Sequence, residues 1–254
     1  MRDAERLLAE KARRLARGRR LLVLLDFDGT LAEFKADPTD VYLPESRRAI
    51  LRQLQQRATV GVISGRRLDD VRARCGVDGI IVAGLHGVEI EGFGERFVHP
   101  DVEAAGAAIA QVRSTLEEST RDLPGVFVED KGASVALHFR EADPAGQRAA
   151  VEVFEAAAKP HVDRGQLRVM RGSRVLELLP NIDWNKGHAA RWIVDRLRQH
   201  DGDAFVIYIG DDVTDQDAFR AVESGGLPIA ASDRVTAKDR LDGPVAVERF
   251  LAAL

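Results

Sequence analysis

The sequence predicts an α/β protein whose core is a doubly wound, Rossmann-like parallel sheet with an inserted α+β layer. Short apolar runs typical of buried strands alternate with helical stretches in the first third of the chain, and this pattern returns near its end. Between these parts the order becomes helix–strand–strand–helix–strand–strand, which favours an antiparallel sheet with helices on one face. We therefore expect a core of residues 1–98 and 182–254, interrupted by residues 99–181.

The first third supplies the strand–helix–strand pattern of a parallel sheet. Segment 21–25 is an apolar run that leads to a glycine turn, as a buried strand does. Pro44 suits the first turn of a helix that continues to about residue 57. Further strands are expected at 59–63 and 79–83, a helix at 67–75, and a hairpin at 87–91 and 96–98.

The insertion and the last part of the chain differ in pattern. Segment 134–140 alternates, so that Val135, Leu137 and Phe139 would share one face of a strand. The insertion also contains expected helices at about 101–121 and 144–159 and strands at 125–129, 166–170 and 174–179. The core resumes with a helix at 186–200, an apolar strand at 205–209, shorter strands at 227–230 and 244–247, and a terminal helix.

Composition and charge narrow the class of protein. A net charge of -4 argues against a nucleic-acid partner, which favours a basic protein. The single cysteine, Cys75, cannot form an intrachain disulfide, so a reducing, cytoplasmic location fits and a role in core packing is expected. No apolar run approaches the roughly 18 residues of a membrane span. We expect a cytoplasmic monomer that binds neither nucleic acid nor membrane.

The N-terminal segment is strongly basic. Residues 1–20 contain Lys11 and seven arginines against three acids. Leu8, Ala12 and Leu15 recur at the spacing of an amphipathic helix, which we expect to pack on the core. Contact with a partner or a membrane surface is the alternative interpretation.

Two aspartates stand one residue apart after the first apolar run. Asp26 and Asp28 would lie at the carboxyl end of a parallel strand, where open α/β sheets place their chemistry. Two crowded carboxylates repel each other unless a cation lies between them, so we expect a hard divalent ion such as Mg2+. Asp26 is the better candidate for a nucleophile, and Asp28 for the general acid and base. A purely structural Asp-Gly-Thr turn is the alternative.

Ser64 follows the second strand, and Lys186 opens a later helix. A hydroxyl with loop amides can hold phosphate oxygens, although Ser64 could instead cap a helix. The helix dipole does not favour a lysine at a helix start. A lysine directed at a phosphate and at a nucleophilic aspartate therefore explains this position better than a surface lysine does.

A second acidic cluster follows the strand at 205–209. Asp211, Asp212 and Asp215 lie within five residues, and this charge would be costly without a cation. We expect Asp211 to complete the Mg2+ site. Asp212 and Asp215 could bind the metal or support its ligands, and Asp215 could instead only cap the next helix.

These four segments, in this order and after these strands, resemble the haloacid dehalogenase superfamily of aspartate-nucleophile phosphatases. The resemblance implies that Asp26, the backbone carbonyl of Asp28, and Asp211 bind Mg2+, while the Asp28 side chain does acid–base work. It also implies that residues 99–181 form the larger, α+β type of cap, which would act as a substrate-specificity domain.

Longer motifs at 84–89, 129–140, 172–180 and 210–215 resemble the trehalose-6-phosphate phosphatases. This resemblance implies hydrolysis of trehalose 6-phosphate, a small-molecule substrate, through an aspartyl-phosphate. Three positions depart from the family pattern: Phe27 and Phe139 replace tyrosines, and Gln216 stands where an acid is common, which leaves the ligand set of the metal open. The residues implied to bind the substrate are Glu129, Lys131 and Glu177 from the insertion, and Arg66, His86 and Gly87 from the core.

Other interpretations stay open. Without the family pattern, Glu129 and Lys131 are better explained as an exposed cross-strand pair. Related caps occur in sucrose-phosphate and mannosyl-phosphoglycerate phosphatases and in phosphomannomutase, so the sugar could differ. A non-catalytic sensor of trehalose 6-phosphate is the third interpretation. Association with a separate synthase is a possible further partnership.

Overall fold

The computed structural model describes residues 2–35 and 37–254. Twelve strands and eight α-helices are found among these residues. The strands are β1 (Arg20–Leu25), β2 (Ala58–Ile63), β3 (Ile81–Gly84), β4 (Glu89–Gly92), β5 (Glu95–Val98), β6 (Phe127–Asp130), β7 (Val135–His138), β8 (Leu167–Gly172), β9 (Val175–Pro180), β10 (Ala204–Gly210), β11 (Leu227–Ala230) and β12 (Asp239–Arg240). The helices are α1 (Arg2–Ala16), α2 (Glu45–Leu54), α3 (Leu68–Cys75), α4 (Asp101–Ser119), α5 (Pro144–Asp163), α6 (Lys186–Asp201), α7 (Gln216–Val222) and α8 (Gly243–Ala253).

The chain divides into two compact units. The first comprises the residues up to Val98 together with Trp184–Leu254, and the second comprises His99–Asp183. The return to the first unit falls at Trp184, two residues after the expected position 182. The assignment of these units as a catalytic core and a substrate-specificity cap stays a prediction at this point.

The first unit is built on an eight-stranded sheet in the order β12-β11-β10-β1-β2-β3-β4-β5. The strands from β12 to β3 are parallel, and β4 and β5 form an antiparallel hairpin at one edge. Alternate residues of β1 face opposite sides: Leu21, Val23 and Leu25 pack with α1, α2, α3 and α8, whereas Leu22 and Leu24 pack with α6 and α7. The predicted doubly wound α/β fold is confirmed.

The strand expected at 244–247 is wrong. These residues belong to α8, which has Pro244 in its first turn and buries Val247, Phe250 and Leu251. A short apolar run does not by itself separate a strand from a buried helix face, and the apolar spacing after residue 247 was the better guide. The strand expected at 125–129 also begins later, at Phe127, because Gly125 occupies a turn with a φ of +75°.

The N-terminal helix is present as α1, but its buried face differs from the expected one. Ala9, Ala12 and Ala16 are buried, while Leu15 is 39% exposed and Leu8 is half-buried. Small residues on this face allow α1 to approach α8 closely. Cys75 is buried at the end of α3, and burial raises the pKa of its thiol to about 11. The packing role predicted for Cys75 agrees with this position.

The second unit has a four-stranded antiparallel sheet in the order β6-β7-β9-β8. Helices α4 and α5 cover one face, where Val135, Leu137 and Leu178 pack with Leu116 and Phe154. The register aligns Glu129, Ala136 and Glu177 in one row across three strands. Because neighbours in such a row point to the same side, Glu129 and Glu177 share the face opposite the helices.

No helix within residues 2–35 and 37–254 combines the length and the apolar character needed to cross a membrane.

Candidate active site

The central strands end together at one edge of the parallel sheet. Leu25 of β1 is in register with Ile209 of β10 and with Val62 of β2. The next residue, Asp26, donates its backbone N–H to the Ile209 carbonyl oxygen at 2.9 Å. Parallel pairing thus brings the residues that follow three strands to one edge, which explains how distant segments of sequence form a single site.

A buried lysine joins two carboxylates at this edge. Lys186 Nζ lies 2.6 Å from Asp26 Oδ1 and 2.8 Å from Asp215 Oδ1, and all three side chains are buried. Lys186 is the first residue of α6, whose N-terminus is capped by Asn185 through the N–H groups of Gly187 and His188. The two carboxylates outweigh the unfavourable helix dipole at this position.

Both carboxylate oxygens of Asp215 accept hydrogen bonds from the protein. Its Oδ1 accepts bonds from Lys186 and from the Tyr208 hydroxyl, the latter at 2.8 Å. Its Oδ2 accepts the backbone N–H groups of Asp211 and Asp212 at 3.0 and 2.9 Å. Four donors leave this carboxylate better suited to orienting its neighbours than to binding a metal. The role of Tyr208 was not predicted, because the only signal in the sequence was a tyrosine within an apolar strand.

Asp211 is held by residues from two loops, which follow β1 and β11. Its Oδ1 accepts the Thr30 hydroxyl at 3.2 Å, its Oδ2 accepts Arg234, and its carbonyl oxygen accepts the Ser232 hydroxyl at 2.5 Å. Gly29 has a φ of +84°, and a Cβ there would lie 2.3 Å from Asp211 Oδ2. Only glycine fits this close approach. The contacts of Thr30, Ser232 and Arg234 were not predicted from the sequence.

Asp26, Asp211 and Asp215 form a buried acidic cluster, in which Asp26 and Asp211 are the better candidates for metal ligands. Each offers a carboxylate oxygen, and these oxygens lie within 4.8 Å of one another. Burial raises the pKa of Asp26 well above its usual range; Lys186 opposes this shift, and the charges of Asp215 and Asp211 add to it. Burial likewise raises the pKa of Asp211, against its hydrogen bond with Asp26 and the charge of Arg234. A positive ion would relieve this crowding, so the group could hold a metal.

Not every predicted acid joins this group. Asp212 is exposed, and its backbone N–H donates to Asp215 Oδ2 at 2.9 Å. The Asp28 side chain points instead to Arg66, whose Nε and Nη2 donate to its two oxygens at 2.7 and 2.8 Å. Arg66 had been expected to bind substrate. In this structure its guanidinium instead binds both carboxylate oxygens of Asp28, the candidate acid–base residue.

Ser64 and the loop after β3 complete this edge of the first unit. Ser64 is buried, and its hydroxyl accepts the backbone N–H of Arg66 at 3.1 Å, in the turn before α3. His86 and Gly87 both adopt positive φ, at 58° and 93°. A Cβ on Gly65 would lie 2.8 Å from the His86 ring, so that ring lies directly over the serine turn.

The three predicted sugar-binding residues of the second unit lie in two separate hydrogen-bonded groups. Lys131 Nζ contacts Glu177 Oε2 at 2.9 Å, and the Ser134 hydroxyl donates to Glu177 Oε1 at 2.7 Å. Glu129 meets His138 Nε2 at 2.8 Å, and His138 stacks on Phe127. Glu177 is buried although it is charged, which distinguishes this cluster from an ordinary exposed ion pair.

The parallel sheet and the carboxylates at the ends of its central strands define a protein of the haloacid dehalogenase fold. Comparison with known families then narrows this class. A family model described as trehalose-phosphatase matches residues 24–242. The chain belongs to the trehalose-phosphatase family.

Similar proteins include trehalose-phosphate phosphatases from two mycobacteria. The Mycobacterium avium protein is 38% identical over 99% of this chain, and the Mycobacterium tuberculosis protein is 39% identical over 90%. The chain spans 66% and 59% of the lengths of these two relatives. The C-terminal domain of Candida albicans trehalose-6-phosphate phosphatase has the same fold, with a TM-score of 0.75, 24% identity, and coverage of 97% of this chain and 94% of that one.

Proposed function

We propose that this protein is a phosphatase that hydrolyses trehalose 6-phosphate to trehalose and phosphate. The observation that carries the proposal is the buried contact of Lys186 with Asp26, beside Asp211, in a chain of the trehalose-phosphatase family. The names of the mycobacterial relatives supply the substrate.

In the proposed reaction Asp26 is the nucleophile. One of its oxygens is bound by Lys186, and the other attacks the phosphorus atom while the bond from phosphorus to the sugar oxygen breaks. Asp28 gives its proton to the departing sugar oxygen. Asp28 then takes a proton from a water molecule, whose oxygen attacks the aspartyl-phosphate, releases phosphate and regenerates the Asp26 carboxylate. Ser64 would hold a phosphate oxygen during both steps.

We propose Mg2+ as the cofactor, with Asp26, the Asp28 carbonyl and Asp211 as its protein ligands. When bound, the ion neutralises charge on the phosphate and on the crowded carboxylates. Asp215 is assigned to orienting Lys186 and the backbone after β10, because its four hydrogen bonds occupy both oxygens. Asp212, which is exposed, is given no part in binding the ion.

For the sugar we propose the charged residues of the second unit as the specificity determinants. Glu129, Lys131 and Glu177 offer strong hydrogen bonds to hydroxyl groups. The burial of Glu177 and its bonds to Lys131 and Ser134 favour a preorganised cluster. His86 and Gly87 are proposed to contribute from the loop after β3. On this basis the first unit is the catalytic core and the second is the cap.

We also propose a cytoplasmic location, which suits a protein whose single cysteine is a buried free thiol. Association with a separate synthase would supply the substrate, since trehalose 6-phosphate must be made by a glycosyl-transfer reaction.

The test is phosphate release from trehalose 6-phosphate with Mg2+ and with EDTA. We expect turnover with Mg2+, its loss with EDTA, and a preference of at least about tenfold in kcat/KM over sucrose 6-phosphate and mannosyl-phosphoglycerate. A preference for another sugar by this margin would replace trehalose as the substrate. Tight binding of trehalose 6-phosphate without phosphate release would instead indicate a sensor.

A further inference from the structure

A run of alternating charges leads away from Asp28. Arg66 bonds both oxygens of Asp28, and its Nη1 lies 3.1 Å from Asp70 Oδ2. The other oxygen of Asp70 accepts Arg74 Nε at 2.6 Å. Arg66, Asp70 and Arg74 are spaced four residues apart, so α3 and the turn before it hold them in one line.

The far end of this run is fixed to the main chain. Arg74 Nη1 donates to the carbonyl oxygens of Thr39 and Val41 at 2.6 and 3.0 Å, and Arg66 Nη2 also donates to the carbonyl of Pro38 at 3.0 Å. Both guanidinium groups are therefore attached to the segment that follows the β1 loop. This attachment limits how far Arg66 can turn.

Burial distinguishes these pairs from ordinary helix-surface pairs. The Arg66 and Arg74 side chains are 15% and 10% exposed. The neighbouring pair of Arg67 with Asp69 is 41% and 71% exposed, and such exposed pairs hold their members only weakly. Partly buried, bidentate arginine contacts impose much stricter geometry.

The donor count argues against a sugar contact by Arg66. A guanidinium has five N–H groups, and Arg66 already meets four acceptors on Asp28, Asp70 and Pro38. One donor is left for any ligand. The side chain is thus better placed to fix a carboxylate than to recognise several hydroxyls.

We propose that Arg66, Asp70 and Arg74 form a positioning network that fixes the Asp28 carboxyl for proton transfer to the leaving group. This inference rests on the acid–base role proposed above for Asp28. It assigns Arg66 to the chemical step rather than to sugar binding, and it gives Asp70 and Arg74, which touch no reacting atom, an effect on kcat.

The experiment compares Asp70→Asn with Asp69→Asn. Both residues lie in the first turn of α3, so the two variants change the helix dipole equally, but only Asp70 contacts Arg66. For trehalose 6-phosphate we expect Asp70→Asn to lower kcat on the order of tenfold, with KM within about twofold of the parent. Asp69→Asn should match the parent in both constants.

Aryl phosphates separate a positioning role from general damage. p-Nitrophenolate leaves without needing a proton, whereas phenolate gains much more from one. We expect Asp70→Asn to release the p-nitrophenolate burst at the parental rate. The same variant should release phenol from phenyl phosphate about tenfold more slowly than the parent does. A retained burst also shows that the variant is folded. Arg66→Lys, which keeps the charge but not the bidentate grip, should show the same split.

Three results would overturn the network. They are an equal loss on both aryl phosphates, parental kinetics of Asp70→Asn on every substrate, and a raised KM for trehalose 6-phosphate in Arg66→Lys with kcat unchanged. The last would assign Arg66 to the sugar. Because the aryl comparison needs no sugar, a parent enzyme that hydrolyses aryl phosphates but not trehalose 6-phosphate would refute the proposed substrate and leave the network to be judged separately.

Discussion

At the residue scale, the site depends on the balance between burial and charge. Burial lowers the pKa of Lys186, but the charges of Asp26 and Asp215 outweigh it and raise that pKa above its usual range. Lys186 is therefore a permanent cation at neutral pH. Its charge opposes the effect of burial on Asp26 and favours the ionised carboxylate that a nucleophile requires.

Replacement of Asp26 by Asn tests the nucleophile at this scale. The amide nearly keeps the shape of the side chain but cannot form the aspartyl-phosphate, so Asp26→Asn should lower kcat at least about a thousandfold. Phosphate release with Mg2+ measures this loss, and acid-quenched protein should no longer carry label from a labelled phosphoryl donor. Substantial retained turnover would defeat the assignment of Asp26.

At the element scale, the sequence predicted what each segment encodes locally. The apolar runs of β1, β2 and β10 located the strands, and each ends next to a polar residue of the site. The roles of Tyr208 and Arg234 could not be predicted in this way, because their contacts with Asp215 and Asp211 exist only once separate segments meet. The wrong strand prediction at 244–247 has a different origin, since the apolar pattern of those residues fits both the period of a strand and that of a helix.

Arg66 shows the same limit for the site. Its place at the end of β2 was evident from the sequence, but the choice between a sugar hydroxyl and Asp28 as its partner depends on side-chain direction. Helical spacing alone would also allow Asp70 to remain an exposed acid. The pairing of Asp70 with Arg66 and Arg74 depends on the geometry of the turn before α3, which the sequence does not show.

The connection between β3 and β4 gives an element-scale prediction. Gly87 has a φ of +93°, and a Cβ there would lie 2.1 Å from Ala189 Cβ of α6. Gly87→Ala should therefore destabilise the protein by about 2–4 kcal/mol, from backbone strain together with overpacking. Urea unfolding measures the change.

Gly94→Ala is the matched control. Gly94 also has a positive φ, of +78°, but a Cβ there meets nothing within 4 Å. Gly94→Ala should therefore lower the free energy of unfolding only by the backbone strain, on the order of 1 kcal/mol. Equal losses in the two variants would show that α6 yields to the added methyl group, and that the close packing of the loop on α6 is not a constraint.

At the scale of the whole molecule, each unit has its own hydrophobic core. The acidic group of Asp26, Asp211 and Asp215 belongs entirely to the first unit, at the ends of adjacent strands β1 and β10. A cation bound there would connect the two central strands of that unit's sheet. Its effect on stability should therefore appear in the first unit.

The two tryptophans allow this effect to be measured selectively. Trp184 and Trp192 both lie in the first unit, and the chain contains no others. We expect Mg2+ to raise the unfolding midpoint recorded by tryptophan fluorescence, since a ligand at a hundred times its Kd stabilises the folded state by about 2.7 kcal/mol. EDTA should reverse the shift.

Two neighbouring aspartates then separate a ligand from a bystander. Asp211→Asn replaces a buried carboxylate of the cluster by a neutral amide and should largely abolish the Mg2+-dependent shift. Asp212→Asn removes an exposed charge one residue away and should leave the shift intact, because that carboxylate lies outside the cluster. Loss of the shift in Asp212→Asn alone would move the metal to the exposed side of the loop. Its persistence in Asp211→Asn would place the stabilising ion elsewhere and remove the physical basis for grouping these carboxylates around a cation.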